Sequence, residues 1–409
     1  MKQYLLFVFS LLAVLYCATT ATAQQCDGDR YLNQTFTSVH QTPNIIYSTA
    51  NGTSLRMDIY EPENDQASNR PLIILAHGGS FIGGDENVSD IVNFSTRFAK
   101  HGYVVAAIQY RLATVTDLID SLLMIREVVY AVQDMKAAIR YFHNDAANAN
   151  IYRVDTNKVF VGGASAGAIL AVHLGYLTNL EELPSYISTV IETNGGLEGN
   201  SGWPGYGTQA AGIINFCGGI NKAEWIDAGD LPIVSVHGTA DSTVPYAHGE
   251  VLGSGAGSIF DLVTIDGSGV IHQRADEVGI YNDLWTLPGE EHMAHATSAH
   301  VDESESFVME FLYPLVCGTA SVDAVRSNIN VAVAPNPNTG QFTLYLPQSD
   351  AQVPYSVRIF DAMGRLVKQY EEVRGQSPSF NANLQDGMYL LQISSERGVG
   401  TKSFIVNSY

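Results

Sequence analysis

Ser165 stands in Gly163-Ala164-Ser165-Ala166-Gly167, directly after the apolar run Lys158 to Gly162 and directly before Ala168-Ile169-Leu170-Ala171-Val172. A strand that turns at once into a helix bends its corner residue into strained backbone, and small neighbours leave room for the two elements to close. Such a corner holds a serine hydroxyl out above a sheet, where it can attack an acyl carbon once a base takes its proton. Leu284-Trp285-Thr286-Leu287-Pro288-Gly289-Glu290-Glu291-His292 is a short strand followed by a loop that carries the base, His292, with His295 as the other candidate. Asp241 follows the apolar run Ile233 to Val236 in the turn His237-Gly238-Thr239-Ala240-Asp241 and supplies the acid that fixes an imidazole tautomer and steadies its cation. The fourth requirement is a set of N–H groups aimed at the oxyanion. His77-Gly78-Gly79-Ser80-Phe81, after the run Pro71 to Ala76, is a glycine loop that can turn successive amides toward one point, and the N–H of Ala166 completes the set.

Each of these residues needs a strand end to hold it. Strand patterns recur at Leu55 to Tyr60, Leu72 to Ala76, Tyr103 to Gln109, Val159 to Gly162, Ile213 to Phe216 and Ile233 to Val236. Helical spacing lies between several of them, at Ile91 to His101, Leu122 to Ala147 and Val270 to Tyr281. Strands alternating with helices predict a parallel sheet, with the long Leu122 to Ala147 helix packed beside the nucleophile strand.

Taken together the four motifs resemble the α/β-hydrolase fold, and within it the secreted carboxylesterases with a His-Gly-Gly-x-Phe oxyanion loop, over roughly residues 27 to 317. The resemblance implies a mostly parallel eight-strand sheet with helices on both faces, and ester hydrolysis through an acyl-enzyme. It implies catalytic Ser165, Asp241 and His292, and oxyanion donors at Gly79, Ser80 and Ala166, with Gly78 beside them. It implies neither metal nor organic cofactor, and no zincin spacing is present among the histidines. A serine peptidase of the same fold, or a catalytically silent surface-binding or adhesion protein, are the other readings. The segment 178–208 is long for a plain connection and predicts a cover over the site, with Trp203 and Tyr206, joined by Phe81 and Tyr246, as candidate substrate walls.

The chain opens with Lys2, an apolar stretch from Tyr4 to Tyr16 and small residues up to Ala21-Thr22-Ala23, which reads as a secretory signal peptide over 1–23. No later apolar run is long enough to span a bilayer. Removing the leader takes Cys17 and leaves Cys26, Cys217 and Cys317; Cys26 and Cys317 flank the catalytic segment 24–318 and are the expected disulfide, with Cys217 a buried free thiol. His237, at the end of its strand, reads as a satisfied core histidine.

After a linker at 319–330, residues 331–409 alternate strands and turns suited to a small all-β sandwich. Pro335-Asn336-Pro337 with Gly340, Phe342 and Leu344, then Val357 to Arg365, then Leu384-x-x-Gly387-x-Tyr389, resemble the C-terminal sorting domain of type IX secretion. That resemblance implies export across an outer membrane by the type IX machinery and an extracellular or surface-attached product. The net charge is −21, and with seven basic and seven acidic residues from Ser321 onward, the 14 basic and 35 acidic residues upstream carry all of it. A body this acidic repels phosphate backbones, which argues against nucleic-acid partners and leaves a small or polymeric ester as the partner.

Overall fold

Runs of apolar residues that are buried on both sides can only be satisfied in a sheet covered on both faces, and that is how this chain folds. The computed structural model describes residues 26, 29–114, 117, 120–251, 264–318, 327–328, 331–336, 338–346, 353–361, 366–395 and 398–407. The signal-peptide reading and nearly all of the linker reading lie outside these residues. The chain divides into two units, Met1–Thr319 and Ala320–Tyr409.

In the first unit the strands are β1 (Val39–Ala50), β2 (Thr53–Pro62), β3 (Arg70–Ala76), β4 (Val104–Ile108), β5 (Val154–Ala164), β6 (Gly212–Phe216), β7 (Gly219–Ile220), β8 (Ile233–Gly238), β9 (His248–Glu250), β10 (Thr264–Gly267) and β11 (Asn282–Leu287). Eight of them form one sheet in the order β1-β2-β4-β3-β5-β6-β8-β11. From β4 to β11 every pairing is parallel, and only the β1–β2 and β2–β4 pairings are antiparallel. The eight-strand, mostly parallel sheet expected from the motifs is present.

The helices are α1 (Ser89–Lys100), α2 (Ser121–Ala147), α3 (Ala166–Tyr176), α4 (Ser185–Thr193), α5 (Ser268–Val278) and α6 (Val301–Cys317). Alternation along β3 sorts the two cores. Leu72, Ile74 and Ala76 face residues of α2, α3, α4 and α5, whereas Ile73 and Leu75 face residues of α1 and α6. Asp120 caps α2 by accepting from the N–H groups of Leu122 and Leu123 at 2.9 and 3.4 Å. α5 stops at Val278 rather than Tyr281 because Gly279 takes a left-handed φ of 78° and ends the helix. α4 and α6 are additions to the sequence reading.

Cys26 and Cys317 are disulfide-bonded across 291 residues, and Cys217 is free and buried. Cross-linking the two ends of one unit restricts its unfolded chain, so Cys26→Ser is expected to cost about 2–4 kcal/mol. A thermal melt of the variant beside the parent checks this, and an unchanged melting temperature would rule the clip out as a stabilising element.

The second unit holds β12 (Ser327–Asn328), β13 (Ala332–Ala334), β14 (Gln341–Tyr345), β15 (Tyr355–Asp361), β16 (Leu366–Val373), β17 (Ser379–Asn381), β18 (Gly387–Ser395) and β19 (Gly398–Val406). They make a five-stranded sheet, β12-β19-β18-β15-β16, and a three-stranded sheet, β13-β14-β17. Val333, Phe342, Leu344, Val357, Ile359, Leu391, Ile393 and Phe404 form their shared core, as a sandwich of alternating strands requires.

Candidate active site

The sharp corner between β5 and α3 puts Ser165 at φ 54° and ψ −120°, a conformation costing about 1–3 kcal/mol for a residue with a side chain. The corner closes because of its glycines. A Cβ on Gly167 would stand 2.0 Å from the carbonyl oxygen of Ala76, so β3 and the first turn of α3 can approach only over a bare backbone. The Ser165 N–H donates to Phe216 O on β6 at 2.9 Å, which fixes the corner to the neighbouring strand.

The parallel register brings the ends of β5, β8 and β11 to one edge. There Ser165 Oγ lies 2.9 Å from His292 Nε2, and His292 Nδ1 lies 2.7 Å from Asp241 Oδ2. Asp241 Oδ1 accepts from the N–H groups of Thr243 and Val244, both at 2.9 Å, and Oδ2 also meets His237 Nε2 at 3.2 Å. Burial alone would raise the Asp241 carboxyl, but the hydrogen bonds from His237 and His292 outweigh it and hold its pKa far below 3.8. Burial likewise opposes charge on His292, and the hydrogen bond to Asp241, aided by Cys217, overcomes it and raises the imidazole above 6.5. A chain of hydroxyl, imidazole and ionised carboxylate at these distances can deprotonate the serine and hold the resulting imidazolium.

The loop after β3 bends over the same point. Gly79, Ser80 and Phe81 follow one another at φ 120°, 54° and 62°. A Cβ on Gly78 would stand 3.3 Å from Ser165 Cβ, which puts the loop directly against the serine. Tyr110 anchors it from below, donating through its hydroxyl to His77 O at 2.9 Å and stacking on the His77 ring at 4.4 Å. Ala166, as the first residue of α3, has an N–H with no acceptor inside its helix.

Residues 57–199 match the family model BD-FAE, and residues 332–407 match the secretion system C-terminal sorting domain. The first unit has the α/β-hydrolase fold, and a sorting domain follows it. Among curated proteins, this α/β-hydrolase is 27% identical over 159 residues to "Probable carboxylesterase 3" of Arabidopsis thaliana, covering 38% of this chain and 47% of that one. It is 30% identical over 148 residues to "Non-reducing polyketide synthase Preu6" of Preussia isomera, covering 35% of this chain and 6% of that one. The α/β-hydrolase thus spans about half or less of the length of these relatives. Among solved structures it is similar to esterase 2 of Thermogutta terrifontis with propionate bound, at 21% identity and a TM-score of 0.49 over 68% of this chain and 95% of that one. The same esterase phosphorylated by paraoxon is 20% identical with a TM-score of 0.48, over 69% and 96%.

A cavity opens beside Ser165 in this α/β-hydrolase. Phe81, Met124, Ile125, Val128, Val129, Ile169, Leu177, Leu183, Pro184, Trp225 and Ile265 line it, with Ser80, Asn221 and Thr243, and among the described residues no Asp, Glu, Lys or Arg lines it. His173 also lines it, but its Nδ1–H donates to Ile169 O at 2.7 Å, its Nε2 accepts from Asn221 N–H at 3.3 Å, and burial lowers its pKa to about 4. It presents a neutral, already satisfied ring.

Three expected walls lie elsewhere. Only the start of the 178–208 segment, Leu183 and Pro184, reaches the cavity; the later part is tied to α2 by Gln133 to Gly196 O at 2.7 Å, Lys136 to Glu198 at 2.5 Å and Arg140 to Ser201 O at 2.7 Å. Trp203 therefore packs on Tyr141 and donates to Tyr47 O at 3.2 Å, and Tyr206 accepts from Asn148 at 2.9 Å. Tyr246 turns to Thr286 at 2.9 Å and sets its ring 5.6 Å from that of His237. Of the four, Phe81 alone lines the cavity. The wall comes instead from the first half of α2, where Met124, Ile125, Val128 and Val129 form a stripe at helical spacing that the sequence reading assigned to packing alone.

His295, the other candidate base, is stacked on Phe216 at 4.6 Å and on Phe94 at 5.8 Å; burial and the neighbouring imidazoles push it down to about 3. Cys217 Sγ lies 3.8 Å from His295 Nδ1 and, with one atom each of Asp241 and His292, forms a group within 4.8 Å. Those three atoms are close enough for a soft metal, but Asp241 and His292 are already hydrogen-bonded to each other. Among the described residues no helix is long and apolar enough to cross a membrane.

Proposed function

We propose that residues 24–318 form a serine carboxylesterase that hydrolyses neutral esters with an apolar acyl part. The observation that carries this reading is the continuous chain Ser165 Oγ, His292, Asp241 at 2.9 and 2.7 Å, opening on a cavity whose described walls carry no Asp, Glu, Lys or Arg. In the reaction His292 takes the Ser165 proton as Oγ bonds to the ester carbon, and the N–H groups of Gly79, Ser80 and Ala166 hold the oxyanion. Collapse expels the alcohol, which receives the proton from His292. Water then repeats the sequence on the acyl-enzyme and releases the acid. No step calls on a metal or an organic cofactor.

We also propose that the enzyme is exported through its leader and carried across the outer membrane by the type IX machinery, reading residues 331–409, to an extracellular or surface-attached place. The match of residues 332–407 to the sorting domain supports this.

Nitrophenyl esters of increasing acyl length, run beside fluorophosphonate labelling, test the esterase reading. Hydrolysis together with labelling upholds it; labelling with no ester hydrolysed moves peptide substrates ahead; neither moves a silent binding protein ahead. The acyl part is checked by Val128→Trp, which fills the cavity from α2. It is expected to lower kcat/KM on long-chain esters by about tenfold or more while the acetyl ester changes by less than about threefold. An equal loss at every chain length would show that the acyl chain lies elsewhere.

A further inference from the structure

Asp241 serves two imidazoles, not one. We infer that His237 is a positioning residue of the active site, a second imidazole donor that holds Asp241 in place and moderates its pull on His292. The inference rests on the reading of Ser165, His292 and Asp241 as the catalytic set.

The assignment comes from a buried hydrogen-bond chain whose direction can be worked out from its two ends. Asn282 donates through Nδ2 to Asp276 at 2.9 Å and to Ile280 O at 3.0 Å, so its Oδ1 accepts from His272 Nδ1–H at 2.6 Å. His272 Nε2 then accepts from Ser235 Oγ–H at 2.7 Å. Asn215 Oδ1 takes the N–H of Gly218 at 2.9 Å, so its Nδ2 donates to Ser235 Oγ at 2.9 Å and to Ser268 Oγ at 3.0 Å. Asn215 occupies one lone pair of Ser268, and the Ser268 hydroxyl proton goes to His237 Nδ1 at 2.8 Å because Nε2, on the far side of the ring, faces two acceptors and must carry the ring's proton. His237 is left with its proton on Nε2, where it faces Asp241 Oδ2 at 3.2 Å and Val244 O at 3.1 Å, both acceptors. Ser235, His237 and Ser268 are buried to 1% exposure or less, so water offers no alternative partner and the tautomer is set by the chain.

This donor has a chemical consequence. Each N–H given to Asp241 Oδ2 reduces the charge that the carboxylate presents to His292, and a carboxylate held on both oxygens cannot rotate away from the base. The groups facing His237 are Asp241, Ser268, Val244 O and the ring of Tyr246. Losing the His237 donor leaves Asp241 a stronger partner for His292. The imidazole then keeps its proton to higher pH, and the acid limb of the kcat/KM profile moves up.

The test compares the parent, His237→Leu, His237→Gln and Ser268→Ala in kcat/KM against pH and in the rate at which a fluorophosphonate labels Ser165. His237→Leu is expected to lose about tenfold in kcat with little change in KM and to raise the acid limb by about half a pH unit. Gln carries an N–H where His237 Nε2 lies and is expected to recover most of the loss. Ser268→Ala, which removes the proton that fixes the tautomer together with one acceptor of Asn215 Nδ2, is expected to lose about threefold with a shift in the same direction, and it decides the matter should the leucine variant not fold. Equal behaviour of the Leu and Gln variants, or an acid limb that stays put in all three, overturns the role of His237 while leaving the catalytic set intact. A parent that is not labelled at all overturns the catalytic set itself and this inference with it.

Discussion

Ser165→Ala is expected to lower kcat/KM on an activated ester by about 10⁴-fold or more, with melting temperature nearly unchanged. Ser165 is 8% exposed, and its Oγ meets His292 Nε2, so the substitution removes one hydrogen bond and leaves only a small void at the cavity wall. The backbone there is strained for alanine as it is for serine, at φ 54°, and stability has little reason to move. What remains is the proposed oxyanion loop and the cavity, which would bind and polarise an ester without attacking it. Steady-state kinetics and a thermal melt of the two proteins measure both quantities. A variant that kept about a tenth of the activity would mean that another group attacks the ester.

The parts of this site that follow strand ends are the parts that could be read from the chain. Ser165, Asp241 and His292 each lie just beyond an apolar run, and a parallel sheet brings such ends to one edge whatever the side chains between them do. The choice between His292 and His295 is made by the turn after β11. Met293 takes a left-handed φ of 62°, and the short turn Ala294–Ala296 then points His295 inward to stack on Phe216. No local pattern announces that. Trp203 and Tyr206 fail as walls for a related reason: the anchors that draw their segment away, Gln133, Lys136 and Arg140, lie some 60 residues earlier and look in the sequence like an ordinary polar helix face. The spacing of His237 and Asp241, four apart across a turn, carried a signal in the sequence, but the proton on Nε2 depends on Ser268 and Asn215, which only the fold brings together.

Asp241→Asn is the second large effect, expected to cut kcat by about 10³ to 10⁴-fold while fluorophosphonate labelling slows in step. An asparagine has one oxygen and one NH₂, and this site has no place for the NH₂. At the Oδ1 position it would face the N–H groups of Thr243 and Val244; at the Oδ2 position it would face the imidazoles of His237 and His292. Turning the NH₂ toward His292 requires that ring to carry its proton on Nε2, where it can no longer accept from Ser165. Turning it toward the backbone sets donor against donor and loosens the turn. The charge is lost in either case, and the pH profile reports it separately from the rate. Catalysis needs His292 neutral, so kcat/KM rises with pH through the imidazole's pKa, which burial would lower and Asp241 holds above 6.5. Without the carboxylate, burial dominates and the acid limb is expected to move to lower pH, opposite in sign to the shift expected for His237→Leu. Measuring kcat/KM from pH 5 to 9 for parent and variant checks this. An acid limb that did not move would mean that the carboxylate does not set the basicity of His292, and that its contact at 2.7 Å serves alignment alone.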